Sequence, residues 1–260
     1  MAARKTPDAD RAMSELLSTY RSSTGKLLLD GCVLDPSRVI EVLGPLLSEE
    51  RRVRIGEVVA GRTYNVATVV EGVINTGNVS AVMRSAEALG FQSFHVISGD
   101  LPYKHSSRTT QGAQKWLDVT VWDSADACIN SLRDSGFRIV VTHVDEAARP
   151  LHELDCTRKT ALVFGNELNG VSDRMLELAD DTCVIPTIGV VQSFNVSVAA
   201  ALTLHQAYRF RVRTFGRNGD LTEPQFDELR ADFYVRALEH ADRILRLALE
   251  SGEPRLPGHS

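Results

Sequence analysis

Three stretches of this chain carry polar groups beyond what folding asks for. In "GVVQSFNVSVAAALTLHQAYRFR", Ser193, Asn195 and Ser197 alternate with apolar residues just ahead of three alanines. One Ser or Asn is enough to cap a helix, so the surplus is available for a ligand. In "INTGNVSAVMRSAEALGF", Asn78 is placed to cap a helix. Arg84 follows six residues on, near two turns, and is expected to project from the same end and side. In "ALVFGNELNGVSDRMLELAD", an apolar strand runs into Gly165, Asn166 and Glu167, then Gly170 and a short helix capped by Ser172. Strand ends of this kind are where ligands sit in parallel sheets, and glycines let a ligand reach the backbone. Each stretch also has a plain structural reading: a cap with a surface arginine, a solvated loop acid, an ordinary helix start.

Some chemistries are disfavoured at once. No Gly-Lys-Ser/Thr follows "GNELNG", and no GxGxxG stands after a strand, which argues against phosphate-cradling NTPase and Rossmann NAD sites. Cys32, Cys128, Cys156 and Cys183 are scattered without a CxxC pair. They read as reduced thiols in a cytoplasmic protein, with no metal site.

The elements that must position these groups follow from periodicity. The runs "VATVV", "SFHVIS", "FRIVVTHV", "TALVFG" and "TCVIP" alternate with helical segments at 78–89, 124–135, 173–178 and 196–215. That alternation predicts an α/β domain with a mainly parallel sheet and helices on both faces. Three parts are expected: a helical N-terminal extension (1–60), the α/β domain (61–215), and a C-terminal linker with one amphipathic helix over 226–251 (216–260). Ser48 with Glu49 and Glu50 marks a helix start within the first part. The stretch 184–204 lacks charge but is broken by Pro186, Gly189, Gln192, Ser193 and Asn195, so no membrane span is expected. The N-terminus has no apolar core of a secretory signal.

The 260 residues are 43% hydrophobic and 24% charged, with a formal net charge of −5. That sum hides clusters: Arg51, Arg52, Arg54 and Arg62; Lys104, His105, Arg108 and Lys115; Arg209, Arg211, Arg213 and Arg217. Local field, not total charge, steers a polyanion, so the clusters read either as a nucleic-acid surface or as solvated faces.

Taken together, the three stretches resemble the SpoU/TrmH family of RNA ribose 2′-O-methyltransferases, of the SPOUT class. Asn-x5-Arg, strand-Phe-Gly-x-Glu and Ile-Pro-x8-Asn-Val-Ser-Val-Ala occur in the family's order and spacing over about residues 50–215. "QGAQKW" and "GVVQSFNVSVAAA" look most like the branch that methylates guanosine 18 in the tRNA D-loop. Phe194 stands where leucine is usual, and "NELNG" departs from the commoner acidic-Gly version. The resemblance implies a deep trefoil knot that clasps S-adenosylmethionine, an exception to the unknotted rule, and a homodimer with its site built across two subunits. It assigns Asn78, Arg84, Glu167, Ser193 and Asn195 to catalysis. Thr142, Gly165, Ile185, Ile188, Gly189 and Phe194 would hold the cofactor. Arg51, Arg54, Lys104, Arg108 and Lys115 would contact tRNA phosphates, and Trp116 would stack a base or pack inward. Methylation of ribosomal RNA is the alternative within the fold. A catalytically silent RNA-binding protein that keeps the knot is the alternative outside enzymes.

Overall fold

The computed structural model describes residues 27–29, 32–73, 75–98, 110–145, 148–166 and 169–251. In chain order the elements are β1 (Leu28–Leu29), β2 (Cys32–Val33), α1 (Pro36–Leu43), α2 (Glu49–Ala60), β3 (Thr63–Glu71), α3 (Thr76–Ala88), β4 (Phe91–Ile97) and β5 (Asp118–Trp122). There follow α4 (Ala125–Asp134), β6 (Arg138–Thr142), β7 (Arg149–Pro150), β8 (Thr160–Phe164), α5 (Asp173–Glu177), β9 (Asp181–Val184), α6 (Val196–Phe215), α7 (Glu223–Ala237) and α8 (Ala241–Ser251). They divide into two compact units, residues 61–220 and the two ends of the chain on either side.

In residues 61–220 seven strands form one sheet in the order β5-β4-β3-β8-β6-β9-β7, each pair parallel. The central strands are apolar without alternation because both faces are covered. On one side Val66, Val70, Val140, Leu162 and Phe164 pack with Val79, Val82 and Met83 of α3 and with Ala200, Leu204 and Ala207 of α6. On the other, Ala67, Val69, Ile139, Val141 and Val163 meet Cys128, Ile129 and Leu132 of α4 and Met175 of α5. Full burial of each large apolar side chain contributes about 1.5–3 kcal/mol. β5 and β7, both at sheet edges, escape a reading based on apolar runs. β5 alternates Asp118, Thr120 and Trp122 with valines and is partly exposed, while β7 has only two residues.

The amino end of the sheet is closed by charge. Arg62, 1% exposed, pairs with the Glu87 carboxylate and donates to the Glu87 carbonyl at 3.1 Å. Arg211, 2% exposed, pairs with Asp220, whose carboxylate also accepts from Asn65. Asn218 bridges the carbonyls of Gly61 and Leu89, both at 3.0 Å. Arg62 and Arg211 are thus not members of basic surface clusters; acids within the fold neutralise them.

In the other unit Asp35 caps α1 by accepting from the Ser37 amide, and the Ser48 hydroxyl accepts from the Arg51 amide at the start of α2. Two expectations are corrected. Leu28–Leu29 and Cys32–Val33 form a short antiparallel ladder rather than helix, with Leu27, Leu29 and Leu34 buried. The single helix expected over 226–251 is two: Leu238 is extended and His240 takes φ 59°. The break lets α8 turn back so that both α7 and α8 pack on α1. The helical reading of residues 1–26 lies outside the described residues. No helix among the described residues is long and apolar enough to cross a membrane.

His95 on β4 accepts a hydrogen bond from the Trp122 indole N–H at Nδ1, 3.0 Å away. Burial lowers its pKa from 6.5 to about 4, against a smaller upward pull from Asp118. The unfolded chain therefore binds the extra proton first. Stability falls as pH drops from 6.5 toward 4, by at most about 3 kcal/mol from this group. Urea unfolding of His95→Gln at pH 7.5 and pH 4.5 should show a shallower acid loss than the parent; equal losses would reject the assignment.

Candidate active site

Four neighbouring strands, β3, β8, β6 and β9, point their carboxyl ends to one edge of the sheet. Val70 pairs with Phe164 across β3 and β8, Val141 with Val163 across β6 and β8, and Thr142 with Cys183 across β6 and β9. Glu71, Gly165, Thr142 and Ile185 therefore stand side by side at that edge, where open parallel sheets bind ligands. The Thr142 hydroxyl donates to the Val163 carbonyl at 3.0 Å and keeps its lone pairs for a second partner. Ile185 is partly buried against the main apolar cluster.

Gly165 is fixed by space rather than by dihedral angle. Asn166 and Gly170 exchange backbone hydrogen bonds at 2.8 and 2.9 Å, folding the chain back on the end of β8. A Cβ on Gly165 would lie 2.2 Å from the Gly170 carbonyl carbon and 2.3 Å from the Val171 nitrogen. Glu167, between these partners in sequence, lies outside the described residues.

The helix after β3 begins differently from expectation. Asn75 caps it, its side chain accepting from the Gly77 amide at 2.8 Å, and Asn78 sits inside the first turn. Six residues advance a helix by about 600°, not two whole turns, so Arg84 lies well around the axis from Asn78. Arg84 is exposed and makes no hydrogen bond or ion pair with the described residues.

Asn78 instead reaches the third stretch. Its side-chain oxygen lies 3.5 Å from the Asn195 amide nitrogen, across 117 residues of chain. Asn195 caps α6, and its own oxygen accepts from the Ser197 amide at 2.9 Å and the Ser197 hydroxyl at 2.6 Å. Ser197 is a support that orients Asn195 and leaves the amide N–H2 facing Asn78. Ser193 is exposed and forms no hydrogen bond with the described residues. Residues 186–194 are solvent-facing, and their backbone makes no hydrogen bond among the described residues. Within that loop Ile188, Gly189 and Phe194 are all exposed.

Three of the residues expected to touch RNA are among the described residues. Arg51 and Arg54 are exposed on α2, where Arg54 shares its charge with Glu57 at 3.3 Å. Lys115 lies 5.5 Å from the centre of the half-buried Trp116 ring, on the short turn before β5. Lys104 and Arg108 lie outside the described residues. Sequence reasoning missed Asn75 as the cap, Asn166 as a side-chain donor to the Gly72 carbonyl at 2.9 Å, and Glu71. The signal for Glu71 was an acid closing the buried run "VATVV".

Gly165→Ala should lower unfolding free energy by about 1–3 kcal/mol, the usual range for overpacking. Chemical denaturation monitored by circular dichroism measures it, and an unchanged midpoint would show that the fold-back yields freely.

Comparison with known proteins places this arrangement. Residues 65–205 match the SpoU rRNA Methylase family model. The tRNA (guanosine(18)-2′-O)-methyltransferase of Thermus thermophilus is 37% identical over 166 residues, 64% of this chain and 86% of that one. The crystal structure of the A. aeolicus TrmH/SpoU tRNA modifying enzyme superposes with a TM-score of 0.68 at 31% identity, covering 74% of this chain and 98% of that one. The SpoU methyltransferase AviRb from Streptomyces viridochromogenes, solved in complex with AdoMet, gives 0.52 at 25% identity, covering 60% and 64%. With the family match spanning more than half of its 260 residues, on a parallel sheet whose carboxyl edge gathers the polar groups, the chain belongs to the SpoU rRNA Methylase family.

Proposed function

We propose that the protein is an S-adenosylmethionine-dependent methyltransferase of RNA that modifies the ribose 2′-hydroxyl of guanosine 18 in tRNA, as a cytoplasmic homodimer. The names of its relatives support the substrate. The observation that carries the site is the meeting of Asn78 and Asn195, with an uncommitted Arg84 on the same helix as Asn78. Four free cysteines, three of them buried, suit a reducing compartment.

The donor set fits the cofactor. Adenosine has hydrogen-bonding edges and apolar faces; residues 186–194 offer unused backbone N–H and C=O groups beside Ile185, Ile188 and Phe194. Thr142, Gly165, Ile185, Ile188, Gly189 and Phe194 would hold it. When bound, S-adenosylmethionine supplies a methyl group on a positively charged sulfur. A knot around this site is supported by strand order: β9 lies between β6 and β7, so the later chain passes between two strands laid down earlier.

The chain's own residues have to align and activate a hydroxyl. A guanidinium does not surrender its proton in proteins, so Arg84 is no general base. It grips the phosphate next to the target ribose, and its charge lowers the pKa of the 2′-hydroxyl. Asn195, held by Ser197 and facing Asn78, fixes the ribose together with Ser193. Alignment of this kind contributes on the order of 7–11 kcal/mol. Arg51, Arg54, Lys104, Arg108 and Lys115 add phosphate contacts whose strength falls with salt.

Dimerisation is supported by an exposed apolar stripe. Phe194, Val198 and Leu202 recur every four residues into α6 and are 42%, 45% and 41% exposed. Val198→Glu with Leu202→Glu should turn a dimer into a monomer in sedimentation; a parent that sediments as a monomer would remove this part of the reading.

Methyl transfer from labelled cofactor should proceed on a tRNA transcript, map to guanosine 18, and fail when that nucleotide is 2′-deoxy. Transfer to a ribosomal RNA fragment instead would favour the alternative substrate, and no transfer to either would favour a silent RNA binder. Arg84→Lys keeps the charge but loses the fork. It should cost roughly 100-fold in turnover, as loss of one preorganised donor does, while leaving cofactor affinity unchanged. Near-parental turnover would refute the clamp.

A further inference from the structure

Glu71 ends β3 with its side chain buried, 9% exposed, at the carboxyl edge of the sheet. A carboxylate there is costly unless each oxygen finds a donor. Both do, and both donors belong to one residue: Ser172 gives its amide N–H at 2.9 Å and its hydroxyl at 2.8 Å. The same hydroxyl accepts from the Met175 amide at 3.1 Å and so caps α5. One residue further on, the Gly72 carbonyl accepts from the Asn166 side chain at 2.9 Å. Asn166 is tied in turn to Gly170 by two backbone hydrogen bonds, and its side-chain oxygen accepts from the Asn169 amide at 3.2 Å.

The fold-back after β8 is therefore pinned at both ends to the end of β3, from 94 and 101 residues away. Sheet formation does not require this, because Val70 and Phe164 already pair the two strands. Four residues beyond Glu71 stands Asn75, the cap of the helix that bears Asn78 and Arg84. The end of β3 thus holds the Gly165 turn with one side chain and launches the arginine helix with its backbone.

We propose that Glu71 is a positioning residue for the methyl-transfer site: through Ser172 it holds Gly170, and with it Asn166 and Gly165, in the register that the cofactor edge needs relative to Arg84. The assignment rests on the methyltransferase reading above. Both Glu71 oxygens are engaged by Ser172, so the effect of Glu71 passes through that residue. Removing Glu71 lets the turn shift at the cofactor edge, which weakens the hold on the cofactor there.

The test uses the full-length protein. Glu71→Gln keeps shape but cannot accept two hydrogen bonds on two carboxylate oxygens; Ser172→Ala removes the hydroxyl and leaves the amide. Dissociation constants for S-adenosylmethionine by calorimetry, with KM for cofactor and for tRNA, are measured well below each variant's melting temperature. Glu71→Gln should raise the cofactor Kd and KM about tenfold, with tRNA KM unchanged and kcat at saturating cofactor largely kept. Ser172→Ala should shift them the same way by less. Asn218→Ala, which loosens the amino end of the sheet, serves as the stability control and should leave cofactor KM alone. Equal cofactor binding in Glu71→Gln and parent would overturn the positioning role. So would a rise in Asn218→Ala matching that in Glu71→Gln, since general loosening would then explain both. A parent protein that binds no S-adenosylmethionine would instead overturn the reading beneath it.

Discussion

Burial of the central strands on both faces leaves them no polar surface except at their ends. β3, β8 and β6 spend their backbone groups on one another and their side chains on the helices above and below. Unused hydrogen-bonding capacity therefore collects where strands stop. At the amino end most of it is consumed by Arg62, Glu87, Asn218, Arg211 and Asp220, which pair with one another and with nearby carbonyls. At the carboxyl end it is consumed only in part: Ser172 and Asn166 satisfy Glu71 and Gly72, while Thr142 keeps lone pairs and the 186–194 backbone finds no partner among the described residues. The two ends of one sheet thus differ in what they can offer a ligand.

That asymmetry explains how much could be read in advance. The sheet was legible because continuous β-branched runs have few other uses in a chain of this composition, and α6 was legible to its terminal residues, Val196 and Phe215. The three polar stretches were legible because their groups exceed what capping needs. Edge strands were not: β5 pays for partial exposure with Asp118 and Thr120, which erase the apolar signal.

Side-chain partners across long separations were legible least. Asn78 looked like a cap until Asn75 took the role and freed Asn78 to meet Asn195. Ser197 resembled a spare hydroxyl, yet its two hydrogen bonds to Asn195 set which way that amide faces. Glu71 could be seen only as an acid at a strand end, because Ser172 is 101 residues away. Nor could the break at His240 be foreseen, since it answers to the packing of α7 and α8 on α1 rather than to any Gly or Pro.

Three arginines illustrate the distinction that sequence leaves hidden. Arg62 and Arg211 are almost wholly buried, and each has an acid of its own fold against it. Their charge is spent on the protein, because a buried guanidinium without a counter-ion would cost several kcal/mol. Arg84 is exposed on a helix whose neighbouring faces supply no carboxylate to it among the described residues. Water pays most of its solvation, so the fold bears little penalty for leaving it alone. Its full charge then remains for an anion brought from outside, and a phosphate presents two oxygens that match the guanidinium fork. An acid placed within reach of Arg84, as Glu87 is for Arg62, would stabilise the helix slightly and compete with the phosphate for the same donors. Among the described residues no acid stands within reach of Arg84, and that leaves its guanidinium open to an anion brought from outside.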